Sequence, residues 1–394
     1  MKGPLEGIKV LDMGRFIAGP YCALLLGDMG AEVLKIETVK GDDGRRMLPA
    51  VGDMSTYFIA SNKNKGDITL NLRSEKGKEI LWKLLKDVDV LVENFRPGVM
   101  DDMGFGWEVL HKKFPRLIMA SITGFGQDGP YAQRPSYDSV AQAMGGLMNA
   151  TGEPEHPVQA GTWVADYSGG LYAAFGVMNA LYHRERSGIG QHVDVALLDC
   201  IFSFDRTQPQ DFLLFGKKVV RKGHRGDYYR CPVGSYDTKD GFIYITATTQ
   251  KMFLGVCEAC GHPEWGTDPR FLTEPDRLAH ANELNGMINE WTKQRTKEEA
   301  IDALVAHHVP CSPINDIEEV LNNPQIKHRD QLVWRETVDG VSIPLTGVTV
   351  KLSETPGDVQ CAPPRLGQDN ERIYKGVLGF SDEEYDALKK EGVI

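Results

Sequence analysis

Over its first two hundred residues the chain alternates short apolar runs with longer helix-like stretches, and this alternation constrains the fold more than any other feature. Residues 8–13 read as a buried strand, and residues 20–30 as a helix with Pro at its start and Gly at its end. Residues 31–37 form the next strand, residues 67–71 another, and residues 74–86 a charged helix. Residues 88–93 and 117–122 continue the series. Strands joined through helices predict an α/β fold, a parallel sheet with helices on both faces. Ligands of such sheets bind beyond the carboxyl ends of the strands.

At 394 residues the chain is long for a single core, and its pattern changes near residue 205. Residues 223–232 are polar and turn-rich. A smaller α+β unit follows, with a strand at 241–247 and a helix at 297–307. Asp339-Gly340 marks a hairpin turn, and a last helix is expected at 381–390. The expected organisation is a large α/β domain, 1–205, completed by 325–394, then a linker, 206–225, and a small α+β domain, 226–324.

A net charge of −11 argues against a broad nucleic-acid surface. No apolar run approaches the roughly 20 residues that span a bilayer, and the first residues lack the apolar core of a signal peptide. A cytoplasmic protein without nucleic-acid or membrane partners is the expectation. Seven scattered cysteines do not suggest a disulfide framework. Cys257 and Cys260 are the one close pair; with only His262 near them, helical spacing accounts for them better than half a zinc site, and no metal is expected.

Asp166 opens a long apolar stretch in which residues 167–181 carry no charge. One reading is a helix N-cap, because Asp accepts backbone N–H bonds there. The other is a nucleophilic carboxylate stabilised by a helix start. Elsewhere, residues 124–129 match a dinucleotide fingerprint by letter, but Pro130 follows at once and no helix opens within the glycines, so a tight turn fits better. The loop at residues 14–20 joins a strand to a helix start, a place suited to an anion. Residues 94–98 place an amide, an aromatic ring and a guanidinium at the same sheet edge, which suits a nucleotide as well as a plain Pro-Gly turn. No P-loop, zinc-protease helix or nucleophile elbow is present.

Several segments in order resemble one family, the class III coenzyme A transferases: residues 4–12 with 18–20, 30–37, 70–72, 92–98, 121–130, 137–146 and 165–166. The resemblance is dense to about residue 200 and continues more loosely beyond. It implies a doubly wound, Rossmann-like sheet in the large domain and an interlocked homodimer. It also implies a function: moving CoA from an acyl-CoA to a small or medium carboxylic acid, with acyl-CoA as substrate and no permanently bound cofactor. Asp166 falls where the family has its nucleophile, which passes through a mixed anhydride to an aspartyl-CoA thioester. CoA contacts carried over from the family fall on Ile17, Ala18, Leu70, Asn71, Leu72, Arg73, Asn94, Phe95, Arg96, Tyr137 and Asp138.

The chain departs from the formyl-CoA branch. Ile17 stands where that branch has Gln, and Thr38 and Asp102 where it has cationic residues; Arg134, Lys40 and Arg45 are nearby replacements for the lost charge. The branch's glycine run over the active site is absent, and residues 223–229 take its place, which points away from oxalate and formate. Related racemases use a His at or beside the position of Tyr137. A Tyr, with an ordinary pKa of about 10, is a poor base at neutral pH, so transfer is favoured over racemisation. The racemase or isomerase, and a non-catalytic CoA-ester binding protein, are the alternatives.

Overall fold

The computed structural model describes residues 3–205, 207–224 and 229–394. Two compact units divide the chain: Met1–Gly145, Gly161–Phe204 and Pro324–Ile394 in one, Gly146–Ala160 and Asp205–Asn323 in the other.

In the first unit six strands form one parallel sheet, in the order His192–Ala196, Ile118–Thr123, Val90–Glu93, Lys9–Asp12, Glu32–Glu37, Lys65–Thr69. Taken in chain order, the sheet grows outward one way from Lys9–Asp12 and then the other. This is the doubly wound order expected from the alternation, and it creates a switch point between Lys9–Asp12 and Val90–Glu93. The central strands are buried on both faces: Val10 pairs with Val33 on one side and Val90 on the other, and Ile118–Thr123 is buried throughout. That accounts for their continuous apolar sequence. The edge strand His192–Ala196 was not anticipated; it is only partly buried and carries His192 and Asp194, which break the apolar signal.

The other edge is closed by residues distant in sequence. Asp67 N–H donates to Asp369 Oδ2 at 2.9 Å and Thr69 N–H to Asn370 Oδ1 at 2.9 Å. Asp369 N–H returns a bond to the Asp67 carbonyl at 2.9 Å, and Tyr374, fully buried, donates its hydroxyl to the Thr69 carbonyl at 2.7 Å. Side chains thus complete the ladder that an exposed edge would leave open. Ser74 caps the expected helix, which spans Glu75–Leu84. The hairpin around Gly340 joins Leu332–Glu336 to Ser342–Thr346, and Ser381 and Glu384 form a capping box for Asp382–Lys390.

The second unit has a three-stranded antiparallel sheet, Val233–Thr238, Gly241–Thr246 and Cys311–Pro313, packed with helices Gln250–Ala259, Ala281–Thr292 and Lys297–Ala306 around its own core. It also takes in 146–160 and the short helix Gln208–Phe215, which lies within the stretch expected as a linker. Cys257 and Cys260 lie in this core, where burial pushes both thiols up to about 12. Of the loop at 223–229, residues 225–228 lie outside the described residues.

Candidate active site

The switch point opens into a cavity of about 370 Å³ built within the first unit. Its walls are the loop after the first strand, residues 15–18, the turn after the fourth, residues 94–97 and Val99, the end of the fifth strand, and residues 132–137. Asp166 and Leu197 close it. Of the residues singled out from sequence, Ile17, Ala18, Asn94, Phe95, Arg96, Arg134, Tyr137 and Asp166 all line this one space.

Two glycines bring Asp166 there. A Cβ on Gly170 would stand 2.7 Å from the Ala18 carbonyl oxygen, and one on Gly169 would stand 2.5 Å from Leu197 Cδ2. Without side chains there, the long helix Val164–Ser187 settles directly against the helix Ala18–Asp28 at Gly170 and against Leu197 and Ile122 at Gly169. Asp166 is the third residue of that long helix rather than its N-cap. Trp163 occupies the cap position and makes no side-chain cap bond. The cap is supplied by Asp138, whose Oδ2 accepts N–H bonds from Ala165 at 2.7 Å and Asp166 at 3.2 Å.

A helix start favours the charged form of a carboxylate, and two effects oppose it at Asp166. Burial and, next, the Asp138 carboxylate push the Asp166 carboxyl up to about 7. Two aromatic pairs lie beside it: Tyr57 meets Trp163 edge-on at 5.2 Å, and Tyr21 meets Tyr167 at 4.9 Å. Tyr57 is itself pushed up by burial and then by Asp166.

The loop at residues 14–17 is held by side chains that sequence reading assigned elsewhere or missed. Gly14 N–H donates to Asp12 Oδ1 at 2.8 Å, and Arg15 N–H to Asn94 Oδ1 at 2.8 Å. The Asn94 amide returns a bond to the Arg15 carbonyl at 2.9 Å, and Lys35 Nζ donates to the Gly14 carbonyl at 2.6 Å. Phe16 is held with φ 61°, a left-handed conformation unusual for a residue with a side chain. Its ring stands 6.1 Å from that of Tyr137, edge-on. Asn94 therefore shapes the loop, and the anion-binding donors left over are those of the helix's first turn from Ile17 onward. Asp42, which accepts from Phe16 N–H at 3.4 Å, gave no sequence signal because it lies in an irregular segment far from the loop.

Beneath the 94–97 turn, Glu93 accepts the Phe95 N–H at 2.7 Å, and Ser121 Oγ meets His192 Nε2 at 2.8 Å. Burial pushes Glu93 up to about 7 against the opposing bonds from Ser121 and the Phe95 amide.

The remaining expected residues lie outside this cavity. Leu70 is buried in the core and Leu72 packs against it. Asn71 bonds the Gly392 and Val393 carbonyls, leaving Arg73 as the exposed member of the four. Asp138 is 3% exposed and committed to the helix cap. Among the proposed replacement cations, Arg45 is buried against Glu37 at 2.6 Å with its guanidinium over the Phe58 ring, and Lys40 is exposed away from the cavity. Arg134 does line it, with its guanidinium 4.0 Å over the Tyr131 ring. Arg15, not anticipated, adds a third guanidinium beside Arg96 and Arg134. Residues 124–129 form the expected turn, with Gly126 at φ 88° and Gly129 at φ 93°. Among the described residues no cluster of three His, Cys, Asp or Glu side chains has the geometry of a metal site.

A family model described as "CoA-transferase family III" matches residues 5–370. The chain is 38% identical to the succinyl-CoA–L-malate CoA-transferase beta subunit of Chloroflexus aurantiacus, over 99% of this chain and 98% of that one. It is 36% identical to a formyl-CoA:oxalate CoA-transferase of Streptomyces avermitilis, with 100% of both chains covered. A crystal structure of a CaiB/BaiF family protein from Brucella suis superposes with a TM-score of 0.86 at 34% identity, covering 95% of this chain and 100% of that one.

Proposed function

Since the chain belongs to CoA-transferase family III, and is an enzyme that moves CoA between an acyl-CoA and a carboxylic acid, we propose that Asp166 is its nucleophile. The observation that carries this reading is the seat of Asp166: a carboxylate, pushed up to about 7, on the wall of the switch-point cavity. At that value a large fraction is ionised at neutral pH, yet it is more basic than an ordinary carboxylate and so a stronger nucleophile.

An Asp166 oxygen attacks the acyl carbon of the donor, and the C–S bond breaks with its electron pair leaving on the CoA thiolate. The thiolate then attacks the Asp166 carbonyl carbon of the mixed anhydride, releasing the donor acid as a carboxylate and leaving an aspartyl-CoA thioester. The acceptor carboxylate repeats both steps in reverse order. The chemistry requires that water be kept from the anhydride, and Tyr57 and Tyr167 are the half-buried rings beside Asp166 that can do so. Arg96 and Arg134 supply positive charge for the phosphates of CoA, with Arg15, which is paired with Asp43, lining the same cavity and Arg73 exposed after the edge strand Lys65–Thr69. Ile17 and Ala18 flank the thioester, and Phe95 and Tyr137 offer rings to the nucleotide and pantetheine arms. No resident cofactor enters this chemistry.

The acceptor is a small carboxylic acid of the kind the relatives' names carry, such as a dicarboxylate. A homodimer is supported by an apolar stripe on the long helix: Leu171, Phe175, Met178 and Tyr182 recur at helical spacing and are 41–66% exposed. A cytoplasmic setting is supported by seven free thiols, and no helix among the described residues is long and apolar enough to cross a membrane.

The test is covalent trapping. Incubation with succinyl-CoA, quenching with hydroxylamine and peptide mass spectrometry should place a hydroxamate on Asp166. Transfer to L-malate, oxalate or another acid from a panel, with no adduct at Asp166, overturns the mechanism. Exchange of the α-hydrogen without an adduct supports the isomerase instead.

A further inference from the structure

We propose that Asp138 is the positioning residue of the nucleophile: its carboxylate seats the first turn of the Val164–Ser187 helix and holds a fixed negative charge beside Asp166, a repulsion that acylation of Asp166 relieves. This rests on the reading of Asp166 as nucleophile.

The geometry is that of an anion held in place. Asp138 opens the short helix Asp138–Met144 and is 3% exposed. Its Oδ2 accepts the Ala165 and Asp166 N–H groups at 2.7 and 3.2 Å, and Gln142 Nε2 donates to its Oδ1. Gln142 is itself oriented by the Thr162 carbonyl at 3.3 Å. Three donors converge on one carboxylate, so it cannot swing away from Asp166 without losing them. The groups that face Asp166 are Asp138 from the Asp138–Met144 helix, Tyr57 from the Thr56–Asn62 helix and Tyr167 from its own helix, while Arg15, Arg96 and Arg134 line the cavity. The shift of Asp166 has two causes, burial first and Asp138 second, and no cation offsets them.

The chemistry uses that imbalance. When Asp166 forms its C–O bond to the acyl carbon, its charge leaves with the CoA thiolate, and the anhydride oxygen beside Asp138 is neutral. The thioester that follows is neutral too. The charge that Asp166 gives up passes to the thiolate and, once the thiolate attacks, to the departing donor carboxylate, so in the aspartyl-CoA thioester the two like charges have become one; Asp138 thus favours that acyl-enzyme and raises the basicity of the attacking oxygen. A neutral cap would hold the helix equally well and do neither.

The Asp138→Asn variant separates the two roles, because Asn keeps an oxygen for the cap and removes the charge. Single-turnover formation of the hydroxylamine-trapped adduct from succinyl-CoA is followed against pH in both proteins. The wild-type midpoint is expected near 7. The variant's is expected about one unit lower, with a plateau rate reduced roughly tenfold. Asp138→Ser, a second neutral cap, gives the same readout if the Asn variant does not fold. An adduct that forms with an unmoved midpoint overturns the proposal, even if the plateau falls, because loss of a merely structural cap does that; Asp166 then remains the nucleophile. Absence of any adduct in the wild type removes the underlying reading instead.

Discussion

Two acids in the same unit, Asp12 fully buried and Asp166 half-buried on the cavity wall, live in opposite surroundings. Asp12 ends the first strand fully buried, with Lys65 Nζ at 2.8 Å and Lys35 Nζ at 3.9 Å. Burial alone would raise its carboxyl, yet the two lysines and the Gly14 N–H hold it below the ordinary range. Lys65 also donates to the Pro20 carbonyl at 2.8 Å and to Asn62 at 2.9 Å, so the cluster ties strand, loop and helix together. Asp166 has burial and a like charge, with no cation to offset either. The acid that holds the loop is fully compensated; the acid left uncompensated is the one placed on the cavity wall. Between these two acids it is the balance of neighbouring charge that differs.

The contrast can be broken from either side. The largest effect belongs to Asp166→Ala. Transfer should fall roughly a thousandfold or more while CoA affinity, measured by calorimetry, stays within a few-fold. Retained transfer would remove the chemical half of the comparison. Next comes Lys65→Met, which leaves Asp12 buried without its closest cation. Urea denaturation should show a loss of about 3–5 kcal/mol, and adding Asp12→Asn should restore part of it. No recovery in the double variant would mean that the other bonds of Lys65, not the ion pair, carry its contribution.

Asn94→Ala removes both bonds to the Arg15 backbone and should cost about 1–2 kcal/mol of stability. KM for the acyl-CoA should rise more than kcat falls, because the loop that shapes the cavity loosens. Smallest is a stability change in Asp166→Asn. The folded carboxyl titrates above its unfolded value, so the stability of the protonated form is fully present below the ordinary carboxylate range and is lost as pH rises through about 7. The Asn variant should therefore gain roughly 2–4 °C in Tm at pH 8 and little at pH 4. A gain of equal size at both pH values would show that the carboxylate's charge is not its source.

The fold was legible because parallel strands buried on both faces must be apolar throughout, as residues 118–123 are. The partly exposed strand at 192–196 had no such signature. In the site, Asp166 stood out by its isolation, but its cap did not. N-cap rules look within one turn, whereas Asp138 reaches the helix from 27 residues before Ala165. Asn94 was legible as a site residue and not as a loop clamp, since its partner Arg15 lies 79 residues away. Arg45 looked available until Glu37 and Asp67 closed around it. Local pattern carries local structure; which polar group neutralises which is decided by the tertiary fold.

The closure of the Lys65–Thr69 edge has a consequence for how the protein is made. The residues that complete it, Asp369 and Asn370, leave the ribosome about three hundred positions after the strand they cover, the separation of Asp67 and Asp369 being 302. The whole second unit is synthesised in between. Throughout that interval the Lys65–Thr69 rim lacks the groups that cover it in the finished fold, an open strand edge of the kind that invites mispairing until the last segment arrives.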